Sequence, residues 1–379
     1  MANDKDFVVA GAVEVGKDTK VTLGTVTGNN IDLATGNYFT DTLAADTTYT
    51  ISNAGDVQAF QLEVTGGAVS SYLVGASYAS KSLSVSAQEN VPEDTSFKPD
   101  GTKMYLIGGQ GDDVNEYTLS VPWDVSTASF DHTFDLSSQS SSPVKASFKT
   151  DGTKMFVLMD GNNRVHQYSL STPWNVSTAS YDSVLTSVGG QELSPSSMFF
   201  KLDGTAFYVC GRSNSTVFQY TLSTAWDLST SSYAGKSFSV TSQLTQPDGL
   251  SFSADGTTFV VVKDAADIAY QYTLSTPWDV STASYNNISY DFSALSLTAK
   301  GITFGDNDFK FYISDSNFRG VYQFDTGVSS RTITWPSSIE WAGGIAPSAP
   351  AGGETDVYTL VTDDGGTSYV GVKTADNLS

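Results

Sequence analysis

The sequence has few of the residues that build common cofactor and catalytic sites. Its 379 residues include one cysteine, Cys210, and two histidines, His132 and His166. A single thiol excludes a disulfide framework within the chain and a site made of several thiolates. Two histidines leave little for a zinc site or for histidine catalysis. With no catalytic motif in view, we expect neither a cofactor nor an enzymatic activity.

Positive charge and long apolar runs are also scarce. The chain has 19 Lys and Arg against 41 Asp and Glu, a formal net charge of −22. This balance argues against nucleic acids and anionic membranes as partners, because binding to phosphates needs clustered Lys and Arg. No run approaches the roughly 18 apolar residues of a membrane-spanning helix. The opening MANDKDFVVAG lacks the apolar core of a signal peptide.

The residues that are abundant favour β-structure. The chain has 21 Phe, 19 Tyr and 33 Gly, although only 39% of it is hydrophobic. Aromatic residues, Thr and Val are typical of strands, and stretches rich in Ala, Leu, Glu and Lys, which form helices, are missing. The composition therefore predicts an all-β chain.

A repeat of about 51 residues dominates the middle of the chain. Near-copies of PWDVSTASF place four tryptophans 51, 52 and 52 residues apart: Trp123, Trp174, Trp226 and Trp278. Each repeat also carries an Asp-Gly pair, beginning at Asp100, Asp151, Asp203 and Asp255. Such a period with strand-like content is typical of a solenoid or a β-propeller. Asp-Gly supplies the positive φ of a tight hairpin between two strands.

Each repeat contains four short strand patterns, which is the content of a propeller blade. Five groups of three strands begin near Thr95, Val144, Ser197, Gly249 and Lys300. Five outer strands occur near Lys81, Thr133, Val184, Lys236 and Ile288. The first outer strand precedes the first group, so Tyr78–Ser86 must complete the last blade. The count predicts a five-bladed β-propeller over residues 72–327.

The two ends of the chain resemble the halves of one interrupted domain. Strand patterns occur at Tyr38–Leu43, Thr48–Ser52 and Ala59–Val64 before the propeller, and at Thr332–Trp335, Val357–Val361 and Ser368–Val372 after it. Neither end alone has enough strands for a stable core. We therefore predict a β-sandwich-like domain from residues 41–71 and 328–379, interrupted by the propeller.

Both ends and the repeat resemble virion proteins of marine tailed phages. The stretches NYFTDTLAADTTYTISNAGDVQAFQLEVTG and TDVYTLVTDDGGTSYVGV are similar to two halves of a β-module found in tail-fibre and other virion structural proteins. The repeat FKPDGTKMY followed by YTLSVPWDVSTASF is similar to repeats of phage and marine bacterial surface proteins. The opening DFVVAGAVEVGKDTKVTLGTV also resembles the attachment ends of such fibres. The resemblance implies an N-terminal virion attachment segment over residues 1–40, a virion location and other virion proteins as partners. It also implies a homotrimer, as in many fibre modules, and no catalytic motif.

Two non-enzymatic functions follow as expectations. In the first, the chain is a tail-fibre-like component whose propeller binds a host-surface carbohydrate. In the second, it is a capsid or tail decoration protein with a structural role. A third, less favoured function is a glycan-cleaving enzyme that uses Glu192 or Asp264, because propeller glycosidases place carboxylates near the central funnel.

The candidate binding residues lie in loops that vary while the framework repeats. These loops share the face opposite the Asp-Gly turns, and they carry amide, carboxylate and guanidinium groups suited to sugar hydroxyls. The set is Gln110, Asp112, Asp113, Asp160, Asn162, Arg164, Arg212, Asn214, Asp264, Asp267, Asn317 and Arg319. The alternative is that the loops are only solvated, and that Gln88, Gln139, Gln191 and Gln243 brace the turns between blades.

Two other sets of residues have competing interpretations. The repeated tryptophans resemble sugar-binding aromatics, but repetition in four blades favours plugs packed beneath the blades, each followed by an Asp or Asn that caps a turn. Oxygen-rich loops around Asp112, Asp113, Asp160, Asn162 and Asn163 suit Ca²⁺. Their spacing matches no EF-hand loop, so we assign no metal site.

Overall fold

The computed structural model of the chain describes residues 21–43, 47–66, 71–263, 267–328, 333–350 and 355–378. The chain divides into two compact units, Ser70–Ser329 and a second unit made of Met1–Val69 with Ser330–Ser379. The described ranges contain no helix with the length and apolar character needed to span a bilayer.

The larger unit is a five-bladed propeller of four-stranded antiparallel sheets, and we number the blades 1 to 5 in the order of their innermost strands along the chain. The innermost strands are Pro92–Phe97, Pro143–Phe148, Pro195–Phe200, Gly249–Phe252 and Ala299–Gly305. The second strands are Lys103–Gly108, Lys154–Met159, Ala206–Gly211, Thr258–Val262 and Lys310–Asp315. The third strands are Asp113–Leu119, Arg164–Leu170, Thr216–Leu222, Ile268–Leu274 and Gly320–Asp325.

The outermost strands are Ala128–Asp135, Ala179–Ser187, Ser231–Ser239, Ala283–Asp291 and, for blade 5, Ser77–Ser84. Ser77–Ser84 pairs with Gly320–Asp325, so the swapped closure of the ring is confirmed. The backbone N–H of Gly327 donates to the carbonyl of Tyr72, and the chain enters and leaves the propeller side by side. Four outer strands begin earlier than predicted, because the residues directly after each tryptophan turn already pair with the third strand.

The repeated tryptophans are structural plugs, as expected. The ring of Trp226 stacks on Phe156 and Phe200. A Cβ on Gly204, in the Asp-Gly turn, would lie 2.3 Å from that ring, so only glycine fits. Shortly after each tryptophan the chain forms a 3-10 turn, capped by the predicted Asp or Asn, at Val125–Thr127, Val176–Thr178, Leu228–Thr230 and Val280–Thr282. A fifth 3-10 turn, Ser293–Leu295, follows no tryptophan.

A repeated side-chain hydrogen bond ties each blade to the next. The carboxylate of Glu116 accepts from the backbone N–H of Val176 at 2.8 Å. Gln167, Gln219 and Gln323 make the same contact with Leu228, Val280 and Val125. In the remaining blade Gln271 accepts from Tyr72 and Leu73, at 2.9 and 3.3 Å. The entering chain therefore takes the position that a tryptophan turn holds in the other blades.

The propeller axis is filled by a buried ion pair. Lys145 Nζ lies 3.0 Å from Asp94 Oδ2, and the two side chains are 6% and 2% exposed. Ser197 donates to the same carboxylate at 3.1 Å, and Lys145 also donates to the carbonyl of Thr95 at 2.7 Å. Desolvation raises the pKa of Asp94, and Lys145 opposes that rise. The innermost strands of different blades are thus joined through polar groups at their centre.

The smaller unit contains one six-stranded sheet with strands from both ends of the chain. Its spatial order is Leu23–Thr25, Tyr38–Leu43, Gln58–Gly66, Thr355–Thr362, Tyr369–Leu378 and Ile339–Trp341. Two short parallel ladders pair Asn30–Asp32 with Thr50–Ser52 and Thr47–Thr48 with Ile333–Thr334. The residues Asp363-Asp364-Gly365-Gly366 form the hairpin turn between Thr355–Thr362 and Tyr369–Leu378, and Gly365 and Gly366 have the positive φ of such a turn, 72° and 83°.

The terminal strands do form a common core, around Phe39, Phe60 and Tyr358. The expected sandwich is not confirmed, because Gln58–Gly66 pairs directly with Thr355–Thr362 in one sheet. Polar pairs such as Thr65 with Thr355 line the other side of that sheet. The boundary predicted at residue 40 falls inside the strand Tyr38–Leu43, and residues 1–20 of the predicted attachment segment lie outside the described residues.

Candidate functional site

The propeller has two chemically different faces. The Asp-Gly and tryptophan turns share one, which we call the turn face, because Gly101, Gly152, Gly204 and Gly256 lie against the tryptophan rings. We call the opposite one the loop face. It contains the starts of the innermost strands and the loops between second and third strands, since Pro92 pairs with Gly108 at the same edge of blade 1.

Arg212 organises the centre of the loop face. It follows the second strand of blade 3, and its Nε and Nη2 atoms both lie 2.7 Å from Asp248 Oδ1. Its Nη1 is 3.8 Å from Asp160 Oδ2, and its Nη2 is 4.0 Å from Glu93 Oε2. Blades 1 to 4 therefore each contribute one charged side chain, which makes one guanidinium and three carboxylates. Lys300 of blade 5 adds a positive charge that acts on Glu93.

The carboxylates at this centre are held in a partly desolvated environment. Burial raises the pKa of Glu93 to about 7, although the charges of Lys300 and Arg212 oppose the rise. Burial also raises the pKa of Asp160, against the influence of Arg212 and a hydrogen bond from Ser194. A carboxyl group with a pKa near 7 can both accept and donate protons at neutral pH. We call Glu93, Asp160, Arg212, Asp248 and Lys300 the central cluster.

Glu93→Gln should stabilise the chain at alkaline pH. Below pH 4.5 the carboxyl is protonated in both states. Between 4.5 and about 7 the unfolded chain loses its proton first, so stability falls as pH rises, and it stays lowered above 7. The ionised group thus destabilises the fold by roughly 3 kcal/mol. Urea unfolding should show Glu93→Gln more stable than wild type at pH 8.5 and equal to it at pH 4.5. A difference that does not change with pH would contradict this.

Two of the predicted binding residues, Asp160 and Arg212, belong to the central cluster. Several others hold their own loops: Asp112 accepts from the Ser142 N–H, Asp113 accepts from Asn115, Asn162 bonds to His166, Asn214 donates to the Gln191 carbonyl, and Asn317 donates to the Ser296 carbonyl. Gln110, Arg164 and Arg319 are exposed on their loops, and Asp267 is half-buried. Asp264 lies outside the described residues.

Glu192 is not placed for the glycosidase role considered for it. Its side chain is buried, and its oxygens accept from the backbone N–H groups of Ser194, Ser213 and Asn214 at 2.9, 2.9 and 3.1 Å. Glu89 and Asp315 tie the corresponding loops in other blades in the same way. These buried carboxylates fix the shape of the loop face, since each joins an inter-blade loop to the neighbouring loop within a blade.

The four inter-blade glutamines are structural, as the alternative interpretation held. Gln88, Gln139, Gln191 and Gln243 accept from the hydroxyls of Tyr117, Tyr168, Tyr220 and Tyr272. Over the part of the chain that the structure describes, no group of three or more His, Cys, Asp or Glu side chains could hold a metal ion.

The sequence-based selection missed Glu93, Asp248 and Lys300. All three occupy one position of the repeat, directly after Pro92, Pro247 and Ala299, which Val144 and Ser196 hold in the other blades. Glu93 and Lys300 lie in their innermost strands, and Asp248 directly precedes Gly249–Phe252. Aligning the repeats shows that charge varies at this position while the surrounding strand repeats, which is the signal that could have found them. Phe318, 51% exposed on the blade 5 loop, was also missed.

Comparison with known proteins gives no family for the chain. No protein-family model matches the sequence, and a search of curated proteins finds no significant match. Solved structures do match. A protein of unknown function from Desulfotomaculum acetoxidans has a TM-score of 0.38 and 12% identity, covering 59% of this chain and 62% of that one.

Two further similar structures are named as lactonases. A putative 6-phosphogluconolactonase from Bacteroides uniformis has a TM-score of 0.38 and 12% identity, covering 59% of this chain and 64% of that one. The periplasmic gluconolactonase of Pseudomonas aeruginosa has a TM-score of 0.35 and 15% identity, covering 53% and 55%. The chain spans less than two thirds of the length of each of these three structures.

The expectation that the chain is not an enzyme is corrected here. Proteins named as lactonases are among the similar structures, so a non-catalytic role does not follow from the sequence. Likenesses at these TM-scores and identities carry no argument for a particular activity of this chain.

Proposed function

We propose that the chain is a virion protein of a tailed phage whose propeller binds a host-surface glycan at the centre of its loop face. The observation that carries the binding role is the central cluster, where charged side chains from several blades meet on an otherwise repeating scaffold. Its donors and acceptors suit sugar hydroxyls, and exposed Phe318 on the same face offers an aromatic surface for the apolar side of a sugar. The virion location rests on the sequence resemblance of both chain ends, which together form the terminal sheet.

Competition for phage adsorption tests this function. Purified wild-type chain should block adsorption to host cells. Arg212→Lys should block it at least tenfold less effectively, because lysine keeps a charge beside Asp248 but loses the fixed directions of the guanidinium donors. Lys201→Gln on the turn face is the matched control and should block like wild type. Equal inhibition by all three proteins would contradict the proposed site.

A second candidate function is hydrolysis of the bound glycan with Glu93 as the proton donor. The observation that favours it is the pKa of Glu93, raised by burial to about 7, which suits a general acid at neutral pH. Wild-type chain should then release reducing sugar from host polysaccharide. Glu93→Gln should abolish release, whereas Asp203→Asn on the turn face should not. Release that persists in Glu93→Gln would exclude this role.

A further inference from the structure

Among the residues that the structure describes, Asp248 is the one partner of the Arg212 guanidinium within hydrogen-bond distance. Asp248 holds Nε and Nη2 at 2.7 Å, which fixes the plane of the guanidinium. The separations to Asp160 and Glu93, 3.8 and 4.0 Å, exceed hydrogen-bond distance. The two atoms of each pair are close enough for electrostatic attraction, and a ligand group or a water could bridge them by hydrogen-bonding to both.

A hydroxyl group is the ligand chemistry that fits both openings. It can accept from a guanidinium N–H and donate to a carboxylate at the same time. A ligand carboxylate can only accept, and it would meet the three acidic side chains around Arg212. A ligand ammonium can only donate, and it would meet the charges of Arg212 and Lys300. A ligand carboxylate or ammonium would therefore pair with the protein groups of opposite charge and be repelled by those of like charge.

The charge of the whole propeller acts in the same direction. Residues 72–327 carry 14 basic and 26 acidic side chains, a net charge of −12. A field of this sign lowers the local concentration of anionic polymers and slows their association. Acidic polysaccharides would thus be disfavoured both on approach and at the site.

We infer that the central cluster selects neutral sugars, whose adjacent hydroxyls bridge Arg212 to Glu93 and Asp160, and excludes acidic sugars. This inference rests on the proposed glycan-binding function and names the class of ligand for it. Glu93 and Asp160 are then the residues that determine specificity, and Asp248 positions the guanidinium that both bridges share.

Matched polysaccharide pairs test the inference with the full chain. Mannan and polymannuronate are both β-1,4-linked and differ in the group at C6. Galactan and polygalacturonate form a second neutral and acidic pair, which differs at C6 and also in the anomeric configuration of the linkage. Binding measured by biolayer interferometry at pH 8 and 0.15 M salt should be at least tenfold tighter for the neutral member of a pair. The double variant Glu93→Gln/Asp160→Asn should lose at least tenfold for the neutral polymer and narrow the discrimination. Asp203→Asn, on the turn face, should change neither value.

The outcomes separate the inference from the proposed function. Equal binding of both members, or preference for the polyuronate, overturns the inference and leaves glycan binding intact. Failure to bind either neutral polymer also overturns it. If the chain still blocks adsorption in a way that depends on Arg212, the proposed function stands with another class of ligand. If it neither binds these polymers nor blocks adsorption, both fail.

Discussion

Asp94→Ala should destabilise the propeller by about 3–5 kcal/mol, among the largest effects of any single substitution. The reason is the position of Asp94 on the axis, where its side chain is 2% exposed and lies 3.0 Å from Lys145 Nζ. Removing one member of a buried pair leaves the other as an uncompensated charge. Ser197 and Thr303, which also contact the carboxylate, lose a partner as well.

The double variant Asp94→Ala/Lys145→Met separates charge from packing. Replacing both members removes the buried charge, so a large part of the lost stability should return. Urea unfolding of the single and double variants at pH 7, followed by tryptophan fluorescence, measures both values. A single variant that loses less than about 1 kcal/mol, or a double variant no more stable than the single, would contradict the role given to this pair.

Gly204→Ala should destabilise the chain by about 3 kcal/mol, the second large effect. Gly204 has a φ of 73°, which non-glycine residues adopt at a cost of roughly 1–2 kcal/mol. The new methyl would also lie 2.3 Å from the Trp226 ring, and displacing a packed ring adds about 1–3 kcal/mol. The ring stacks on phenylalanines of two neighbouring blades, so its displacement disturbs both.

Two other glycines provide matched controls for this substitution. Gly235 has a similar φ of 71°, but a Cβ there meets nothing within 4 Å. Gly235→Ala should therefore show the backbone part alone, about 1–2 kcal/mol. Gly190→Ala has neither constraint and should change little. Thermal unfolding of the three variants gives the comparison, and equal losses at Gly204 and Gly235 would show that the tryptophan contact contributes nothing.

The sequence predicts the propeller well because its physical requirements recur. Four of the five blades have a glycine packed against a tryptophan ring and a capping residue after that tryptophan, and both recur with a period of about 51 residues. The strand Ser77–Ser84 could be assigned to blade 5 because the first outer strand precedes the first group of inner strands, and the last group has no outer strand after it. The terminal strands could be recognised one by one, but their arrangement could not. A strand pattern such as Ala59–Val64 does not show whether its partner lies beside it or in a facing sheet.

The candidate site was harder to predict, for two physical reasons. The polar loop residues that stand out in the sequence, such as Asp112 and Asn214, are mostly occupied by hydrogen bonds that hold their own loops. The residues that converge at the centre, such as Glu93 and Asp248, come from different repeats, and only the closed ring brings them to Arg212. Sequence distance carries no information about that convergence.

The most direct test of the proposed binding site is a crystal structure of the full chain with a neutral galactan or mannan oligosaccharide. We expect the sugar over Arg212, with hydroxyl oxygens within hydrogen-bond distance of its Nη atoms and of the Glu93 and Asp160 carboxylates. A sugar bound at the turn face, or a central cluster left without sugar while the oligosaccharide is bound elsewhere, would contradict the account.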